Sequence, residues 1–422
     1  VKPSGLIRKG RTNPHPQLPF VRPFGRLLPR EQRKDGMIKR KIADKLVELA
    51  GTFPFVTIEG PRQSGKTTLA RMTFPDHAYA NLEEYAVRAL AEGDPRGFLA
   101  RFPAPAIIDE IQRVPQLLSE IQAAVDADGR NGRYILTGSH QPRLKEGIAQ
   151  TLAGRTALLT LYPLSIEELS GAGIRMGRDD YIFRGFLPAI YDRGQNPVDA
   201  YEAYYRTYVE RDVRQLVNLS RQGLFELFLR LLAGRVGQVV NLDGLSGEVG
   251  VSATTVREWL SVLEASFVIY RLQPYYNNFG KRFVKSPKVY FTDVGLAAHL
   301  LQIESPRQVS RDPLLGGLFE NLVVMEALKA QLNCGRRPGL YYMRDKAGVE
   351  ADLAVESHRR LRLFEVKSAH TPDASMLGGI RRLAGLSDSI DVGSVIYAGE
   401  DWEIDGAHFA NFAGTGRLVT GA

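Results

Sequence analysis

The sequence predicts an α/β protein of several domains, and three observations support this. Residues 54–58, a β-branched run bounded by proline and glycine, are typical of a buried strand, and a glycine-rich turn joins them to a segment with helical spacing. Strand and helix patterns then alternate through residues 52–160, and further strand patterns follow a helix in residues 312–400. At ~150 residues per domain, a chain of 422 residues is expected to form two or three domains.

The turn after the first strand matches the pattern G-x-x-x-x-G-K-[ST] over residues 60–67. Backbone N–H groups and the positive end of a helix dipole converge at such a turn and form a site for a polyphosphate. Lys66 is expected to contact the β- and γ-phosphates and the Thr67 hydroxyl to hold Mg²⁺. ATP and Mg²⁺ are therefore the predicted cofactors. The predicted ATP-binding residues are Gly60, Pro61, Arg62, Gln63, Ser64, Gly65, Lys66, Thr67 and Thr68.

A second apolar run, "APAIIDEIQ", ends in two carboxylates. A parallel strand beside the first would bring Asp109 close to the Mg²⁺, and Glu110 would act as the general base. The alternative is a pair of solvated carboxylates at a strand end. A third run, "RYILTGSHQ", offers Ser139 as the sensor of the γ-phosphate, with Thr137 as second choice, and "HAYANLEE" predicts a further strand ending at Asn81.

The chain resembles the bacterial and archaeal AAA-type ATPases that carry a C-terminal DUF4143 domain. The resemblance rests on "GPRQSGKTTL", "IIDEIQRVP", "LTGSH", "LAGRTALLTLYPLSIEEL", "YVERDVRQL" and "GVEADLAV…LFEVKSA", and it covers roughly residues 37–400. It implies an ATP-dependent ring, expected to be a hexamer, in which an arginine of one subunit reaches the γ-phosphate of the next. Arg155 is the first candidate for this finger and Arg211 the second. The alternative for Arg155 is a structural arginine paired with a local acid.

The sequence patterns and this resemblance together divide the chain. They predict a P-loop ATPase domain with a helical lid at 37–233, a winged-helix domain at 234–311 and a nuclease-like DUF4143 domain at 312–422. The last domain resembles the restriction-endonuclease core, with Asp352, Glu365 and Lys367 on a hairpin and Glu320 on the preceding helix as a fourth member. Such a set can hold Mg²⁺ and cleave phosphodiesters. The alternative is a retained fold without activity.

The predicted winged helix points to DNA as a partner. Its helix–turn–helix pattern at residues 242–265 is followed by the loop "YNNFGKRFVKSPK" between two strand patterns. The predicted DNA contacts are Arg257, Lys281, Arg282, Lys285 and Lys288. Winged helices also serve as ATPase lids and as protein contacts, which is the alternative.

Most of the net charge is concentrated near the start of the chain. Residues 1–36 contain nine Lys/Arg and two Asp/Glu and so carry +7 of the net charge of +8. This segment is predicted to be a basic, disordered arm that binds phosphate backbones or, alternatively, acts as a solubilising tail. The single cysteine, Cys334, allows no intramolecular disulfide, and neither a signal peptide nor a membrane span is predicted. A cytoplasmic location and no membrane partner are expected.

These observations predict an ATP-hydrolysing, DNA-directed motor or remodeller that acts on branched or broken DNA. The alternative is a protein-directed regulatory ATPase switch of the defence or toxin–antitoxin type. The two hypotheses differ in one measurable property, because only the first predicts ATP hydrolysis that DNA stimulates and salt suppresses steeply.

Overall fold

The computed structural model describes residues 37–139, 154–213, 222–275, 283–404 and 406–421, with the side chains of residues 210–213 and 222 left out. The predicted arm, residues 1–36, lies outside the described residues. So do Lys281 and Arg282, and the side chain of Arg211.

The first part of the chain forms a five-stranded parallel sheet in the order β2-β3-β4-β1-β5. Buried aliphatic residues on both faces pack against helices, as expected for strands buried on two sides. The strands are β1 (Phe55–Glu59), β2 (Ala78–Asn81), β3 (Ala106–Asp109), β4 (Tyr134–Gly138) and β5 (Thr156–Thr160). The helices are α1 (Ala43–Thr52), α2 (Lys66–Thr73), α3 (Tyr85–Gly93), α4 (Pro95–Arg101) and α5 (Leu117–Asp128), with a 3₁₀ turn at Ile111–Arg113.

The strand order corrects one expectation. The acidic strand β3 was expected beside β1, but β4 lies between them and pairs with both in parallel. A sequence pattern identifies a strand without fixing its neighbours, because parallel strands are joined by crossovers that can skip positions. The predicted strand ending at Asn81 is confirmed as β2, at the edge of the sheet.

A helical region follows the sheet. Its first helix, α6, begins with the predicted cap: the Ser165 hydroxyl accepts from the Glu168 N–H at 3.2 Å, and the Glu168 carboxylate accepts from the Ser165 N–H at 2.9 Å. The predicted aromatic core is also confirmed, since Tyr201, Tyr204 and Tyr208 are buried. The elements are α6 (Ile166–Gly171), α7 (Arg178–Arg184), α8 (Pro188–Asp192), α9 (Pro197–Tyr204) and a π-helical turn at Tyr205–Val213.

Five helices and a two-stranded hairpin make up the next region. Ser252 caps the third helix by accepting from the Thr255 N–H at 3.1 Å, as predicted. The hairpin strands β6 and β7 pair antiparallel. The elements are α10 (Gln222–Ala233), α11 (Leu242–Val249), α12 (Ala253–Ala265), β6 (Ile269–Leu272), β7 (Lys288–Phe291), α13 (Val294–Leu300) and α14 (Pro306–Val309).

The last region is a six-stranded mixed sheet in the order β12-β13-β11-β10-β9-β8. The predicted meander is confirmed, because β8, β9 and β10 pair antiparallel in sequence. The strands are β8 (Leu340–Arg344), β9 (Glu350–Ser357), β10 (Arg360–Lys367), β11 (Ile390–Tyr397), β12 (Trp402–Ile404) and β13 (Ala407–Asn411). The helices are α15 (Leu315–Asn333), α16 (Gly378–Ala384) and α17 (Thr415–Thr420).

The two faces of this sheet belong to different cores. Leu377, Ile380 and Leu383, in and just before α16, cover one face. The other face packs against α15 and joins the large core that also contains the helical region and the hairpin. The middle and the end of the chain therefore share one hydrophobic interior.

Buried polar contacts tie α15 to the start of the helical region. The Glu326 carboxylate accepts from the Ile166 N–H at 2.8 Å, and the Lys329 ammonium donates to the Leu164 carbonyl at 2.8 Å and to Glu326 at 2.9 Å. Lys329 is buried, so removing either member of this pair would leave an unbalanced charge in the interior.

Within the described ranges, none of the helices combines the length and the apolar composition needed to cross a lipid bilayer.

Candidate functional site

The turn between β1 and α2 forms a cradle at the carboxyl edge of the parallel sheet. Gly60 has φ 149°, and a Cβ there would lie 2.1 Å from the Leu161 carbonyl oxygen, so only glycine fits. Gly65 has φ 92° and immediately precedes α2. The backbone N–H groups at the start of this eight-residue helix have no partners within the helix, which is the arrangement that binds phosphate.

Lys66 lies inside this cradle and is folded back onto it. Its ammonium donates to the Gly60 carbonyl at 3.0 Å and to the Pro61 carbonyl at 2.8 Å. Burial lowers the pKa of Lys66 to about 8, although the carboxylates of Glu110 and Asp109 oppose the shift. A triphosphate would offer this ammonium charged partners in place of two neutral carbonyls.

Asp109 lies next to the cradle, although β4 separates its strand from β1. The Thr67 hydroxyl donates to both carboxylate oxygens of Asp109 at 2.9 Å, and the Tyr79 hydroxyl donates to Oδ2 at 3.0 Å. Thr137 on β4 also donates to Asp109. A hydroxyl and a carboxylate at this separation are the hard oxygen donors that Mg²⁺ takes alongside water and phosphate, so the residues present fit that ion.

Glu110 occupies a strained position one residue further along. Its φ of 58° is left-handed, which costs a non-glycine residue about 1–3 kcal/mol and is frequent at functional sites. Gln112 donates through Nε2 to the Glu110 carboxylate and, at 2.9 Å, to the Ser139 hydroxyl. Glu110 and Ser139 are thus joined by a single amide. Gln112 Oε1 is buried and has no hydrogen-bond partner among the described residues.

Sequence reasoning missed both Gln112 and Arg40. Arg40 is buried and donates to the Ser64 carbonyl of the phosphate loop at 2.6 Å, to the Tyr162 carbonyl at 2.6 Å and to the Glu168 carboxylate at 3.0 Å. It therefore ties the phosphate loop to α6. Arg40 stands within the basic run "KRK", where nothing marks one residue as buried. Gln112 lies two residues after Glu110 and was the more accessible signal.

Arg155 lies at the opposite edge of the sheet from the cradle. It immediately precedes β5, and its carbonyl accepts from the N–H of Phe55, the first residue of β1. Its guanidinium donates to the Asp126 carboxylate at 2.8 Å and 3.3 Å and is partly exposed. In the single chain Arg155 therefore makes the local ion pair that was the alternative to a finger, and the finger role stays a prediction about an assembly.

The four residues predicted for a nuclease-like site meet in the C-terminal domain. Glu320 comes from α15, Asp352 from β9, and Glu365 with Lys367 from β10. The Asp352 carboxylate accepts from the Val366 N–H at 2.9 Å, and Lys367 forms an ion pair with Glu365. Burial, reinforced by Asp352, raises the pKa values of Glu320 and Glu365 to about 7.

The prediction that Lys288 contacts DNA is wrong. Its side chain is 3% exposed, and its ammonium lies 2.6 Å from Glu320 Oε1 and 3.6 Å from Asp352 Oδ1 and forms an ion pair with Glu350. Lys288 begins β7, whose pairing with β6 directs it inward. Glu320, Glu350, Asp352, Glu365, Lys288 and Lys367 are together called the carboxylate site below.

The hairpin that carries Lys288 is attached to the C-terminal sheet. The Tyr275 N–H donates to the Tyr342 carbonyl at 2.8 Å, the Tyr342 N–H donates to Gln273 at 3.1 Å, and the Val284 N–H donates to Arg344 at 3.0 Å. These bonds cover the outer edge of β8. Of the other predicted DNA contacts, Arg257 and Lys285 are exposed, and Lys281 and Arg282 lie outside the described residues.

Among the described residues, no group of three or more His, Cys, Asp or Glu side chains has the geometry of a metal site. In the carboxylate site an ammonium lies between the carboxylates.

Family models match most of the chain. An AAA domain matches residues 52–170, DUF4143 matches residues 315–410, and a second domain of unknown function, DUF8612, matches residues 177–307.

An uncharacterized protein of Mycobacterium tuberculosis is 33% identical over 340 residues, which are 80% of this chain and 75% of that protein. One from Mycobacterium bovis gives the same figures. An uncharacterized protein of Haemophilus influenzae is 23% identical over 69% of this chain and 79% of its own length.

Among solved structures, the Walker-type ATPase PABY2304 of Pyrococcus abyssi is similar, with 15% identity and a TM-score of 0.39 over 64% of this chain and 97% of that one. The AMPPCP-bound DnaA of Aquifex aeolicus has 12% identity and a TM-score of 0.28 over 53% of this chain and 85% of that one. Likeness at this level carries no argument about activity.

The depressed pKa of Lys66 predicts that triphosphate binding takes up a proton at alkaline pH. Below about pH 8 the Lys66 side chain of the free protein is already protonated. Above that pH it is mostly neutral in the free protein, and it must take up a proton to contact the phosphates as a cation. Titration calorimetry at pH 9 in two buffers of different ionisation enthalpy should show uptake of nearly one proton per ATP analogue bound, and titration at pH 7 should show little from Lys66.

The control is Lys66→Arg, because a guanidinium stays charged over this range. Any binding by that variant should proceed without this uptake. Equal uptake by the variant and the parent at pH 9 would assign the proton to another group.

Proposed function

Because the chain belongs to the family of AAA-type ATPases that carry a C-terminal DUF4143 domain, we propose that it binds and hydrolyses ATP at the cradle between β1 and α2. One observation carries the proposal. Thr67 and Asp109, which are far apart in sequence, are hydrogen-bonded at 2.9 Å directly beside Lys66 and the free N–H groups of α2. This is the set that P-loop ATPases use for phosphate and Mg²⁺.

Binding needs only local rearrangement. The Lys66 ammonium leaves the Gly60 and Pro61 carbonyls and turns to the β- and γ-phosphates, while the N–H groups of α2 hold the phosphate oxygens. Thr67 and Asp109 would hold Mg²⁺, and the ion would neutralise charge on the phosphates. Arg40 fixes the Ser64 carbonyl from behind, so the loop keeps its shape while its front face exchanges partners.

Hydrolysis requires a base that orients water for attack on the γ-phosphorus. Glu110 is the carboxylate available for this, and its left-handed backbone directs it away from the regular path of β3. The Gln112 amide holds the Glu110 carboxylate and also contacts Ser139. A γ-phosphate that engages Ser139 would compete for this amide, which links occupancy of the site to the position of the base.

Glu110→Gln should leave ATP bound and slow its cleavage by ~10²-fold or more, the effect expected when a general base is lost. Single-turnover hydrolysis with saturating enzyme, together with equilibrium binding of a labelled nucleotide, separates the two effects. Lys66→Ala is the comparison, because it removes a phosphate contact and should weaken binding as well. Hydrolysis by Glu110→Gln at the parental rate would show that another group activates the water.

We propose DNA as the partner on which this ATPase acts. Support comes from the exposed Arg257 on α12, the exposed Lys285 beside the hairpin and the +7 charge of residues 1–36. Positive groups spread over an arm and a helix–turn–helix unit suit a phosphate backbone. A motor or remodeller that acts on branched or broken DNA would use them to hold its substrate.

One observation favours the alternative, a protein-directed ATPase switch. Lys288 is buried, and backbone hydrogen bonds at Tyr275 and Val284 hold the base of the hairpin on β8. A hairpin held in this way serves as a contact between domains, which is the alternative role of a winged helix. Fewer of the predicted basic residues are then exposed for contact with DNA than the sequence indicated.

The rate of ATP hydrolysis measured with single-stranded, duplex, forked and four-way DNA distinguishes the two functions. The DNA hypothesis predicts stimulation that falls steeply with salt, because bound cations are released from the phosphates. Deleting residues 1–36 should weaken DNA binding and make its salt dependence shallower. Arg257→Ala and Lys285→Ala should add to the loss. A rate that no DNA changes, at low salt, would favour the protein-directed switch.

A ring in which Arg155 serves as the finger predicts different results for the two members of its ion pair. Arg155→Ala should lose hydrolysis by about 10³-fold or more while keeping ATP bound, because a finger stabilises charge in the transition state. Asp126→Ala should keep hydrolysis, since it removes only the local partner. If both variants lose the same small amount, Arg155 is structural. Particle size measured with and without ATP tests for the expected hexamer.

A further inference from the structure

A buried lysine lies among the carboxylates of the C-terminal domain. The Lys288 ammonium is 2.6 Å from Glu320 Oε1 and 3.6 Å from Asp352 Oδ1, and it also pairs with Glu350. The Tyr290 hydroxyl donates to the same oxygen of Glu320 at 2.6 Å. Oxygens from α15 and β9 therefore converge on one positive nitrogen, as oxygen ligands converge on a metal ion.

The charge balance of the site depends on this nitrogen. Lys367 pairs with Glu365, and Arg344 lies 3.4 Å from Glu350, so Lys288 is the cation within salt-bridge distance of Glu320 and Asp352 in the described structure. Carboxylates that are buried together are stabilised by a compensating charge or by taking up protons. Lys288 supplies that charge here, and a metal ion in the same position would supply it as well.

The site also contains an acceptor that Lys288 does not satisfy. Glu365 Oε2 is buried and has no hydrogen-bond partner among the described residues. Gly379, near the start of α16, lies beside this oxygen: a Cβ at that position would be 4.0 Å from Glu365 Oε2. Because glycine has no side chain, the space next to the oxygen is not filled from this position. A buried carboxylate oxygen without a donor favours a cation that contacts more oxygens than one ammonium does.

The cation is supplied from outside the C-terminal domain. Lys288 begins β7, which pairs with β6, and the neighbouring Val289 carbonyl accepts from the Gly237 N–H at 3.0 Å. The carboxylates lie on α15, β9 and β10. The site is therefore completed by a hairpin that belongs to the helix–turn–helix region.

We propose that Lys288 is the resident cation of the carboxylate site and competes with a divalent metal ion for the same position. While β7 is in place, its ammonium satisfies the carboxylates and excludes the metal. Withdrawing or neutralising Lys288 opens a site for one divalent ion among Glu320, Asp352 and Glu365. The inference rests on the contacts of the Lys288 ammonium and is independent of ATP hydrolysis.

Binding of Mn²⁺ to the full chain without nucleotide tests the proposal. Lys288→Met keeps the length of the side chain and removes its charge. It should bind one more Mn²⁺ per chain than the parent, counted by electron paramagnetic resonance, with an affinity at least ten-fold higher at this site. The difference between variants removes any contribution from the P-loop. Lys288→Arg keeps a cation in place and should bind no additional ion.

Stability gives a second readout. Lys288→Met should unfold at a lower temperature than the parent, and millimolar Mn²⁺ should restore much of the loss, whereas Mn²⁺ should not shift the parent in this way. If Lys288→Met does not fold, the variant Lys288→Met with Glu320→Gln removes one charge of each sign and keeps the balance. This double variant should bind the additional Mn²⁺ through Asp352 and Glu365. A third change, Asp352→Asn, should abolish binding of that ion.

Two outcomes would overturn the proposal. In one, the folded variants that lack Lys288 bind no more Mn²⁺ than the parent. In the other, the parent already binds that Mn²⁺ with equal affinity. ATP hydrolysis measured on the same samples distinguishes this result from the proposed function, because an inactive parent would overturn the ATPase assignment and leave the Mn²⁺ counts unaffected.

Discussion

The arrangement of the whole chain depends on one helix, α15, which is buried along most of its 19 residues. A helix that is apolar on all sides must be enclosed by other elements, but apolar contacts alone do not fix its direction or register. Polar contacts fix the direction and register of α15. The Asn321 amide exchanges two hydrogen bonds with the backbone of Phe291 on β7, at 2.7 and 2.8 Å. Glu326 and Lys329 bind the backbone at the start of α6, and Glu320 binds Lys288 of β7. Removing one partner of a buried ion pair costs about 3–5 kcal/mol, so these contacts also hold the regions together.

Two of the buried lysines, Lys66 and Lys288, show how environment sets the behaviour of one side chain. Lys66 has neutral carbonyl partners, burial lowers its pKa, and a polyphosphate gives it better partners. Lys288 is equally buried, but the carboxylates around it raise its pKa. The first ammonium is therefore poised to move toward a ligand, whereas the second already has the charges that a ligand would bring. The phosphate loop can therefore exchange the partners of Lys66, whereas the carboxylate site already holds its counterion, Lys288.

The sequence predicted most of what is local. The phosphate turn, the cap at Ser165, the cap at Ser252 and the meander that joins Asp352 to Glu365 each depend on residues close together in the chain. The missed features are long-range. Nothing in "YILTG" shows that β4 lies between β1 and β3, and Lys288 resembles the other basic residues of its loop until β7 pairs with β6. Its partner Glu320 is 32 residues away.

The bonds between the hairpin and the outer edge of β8 bear on how such domains are inherited. An uncovered edge strand pairs readily with other chains, so a segment beginning near residue 312 would be prone to association if moved alone. It would also lack the counterion for its interior carboxylates. The smallest unit that recombination could transfer intact is therefore larger than the matched stretch of residues 315–410 and includes the preceding hairpin. The boundary of similarity and the boundary of autonomous folding differ here, and fusion partners for this domain are expected to retain the hairpin.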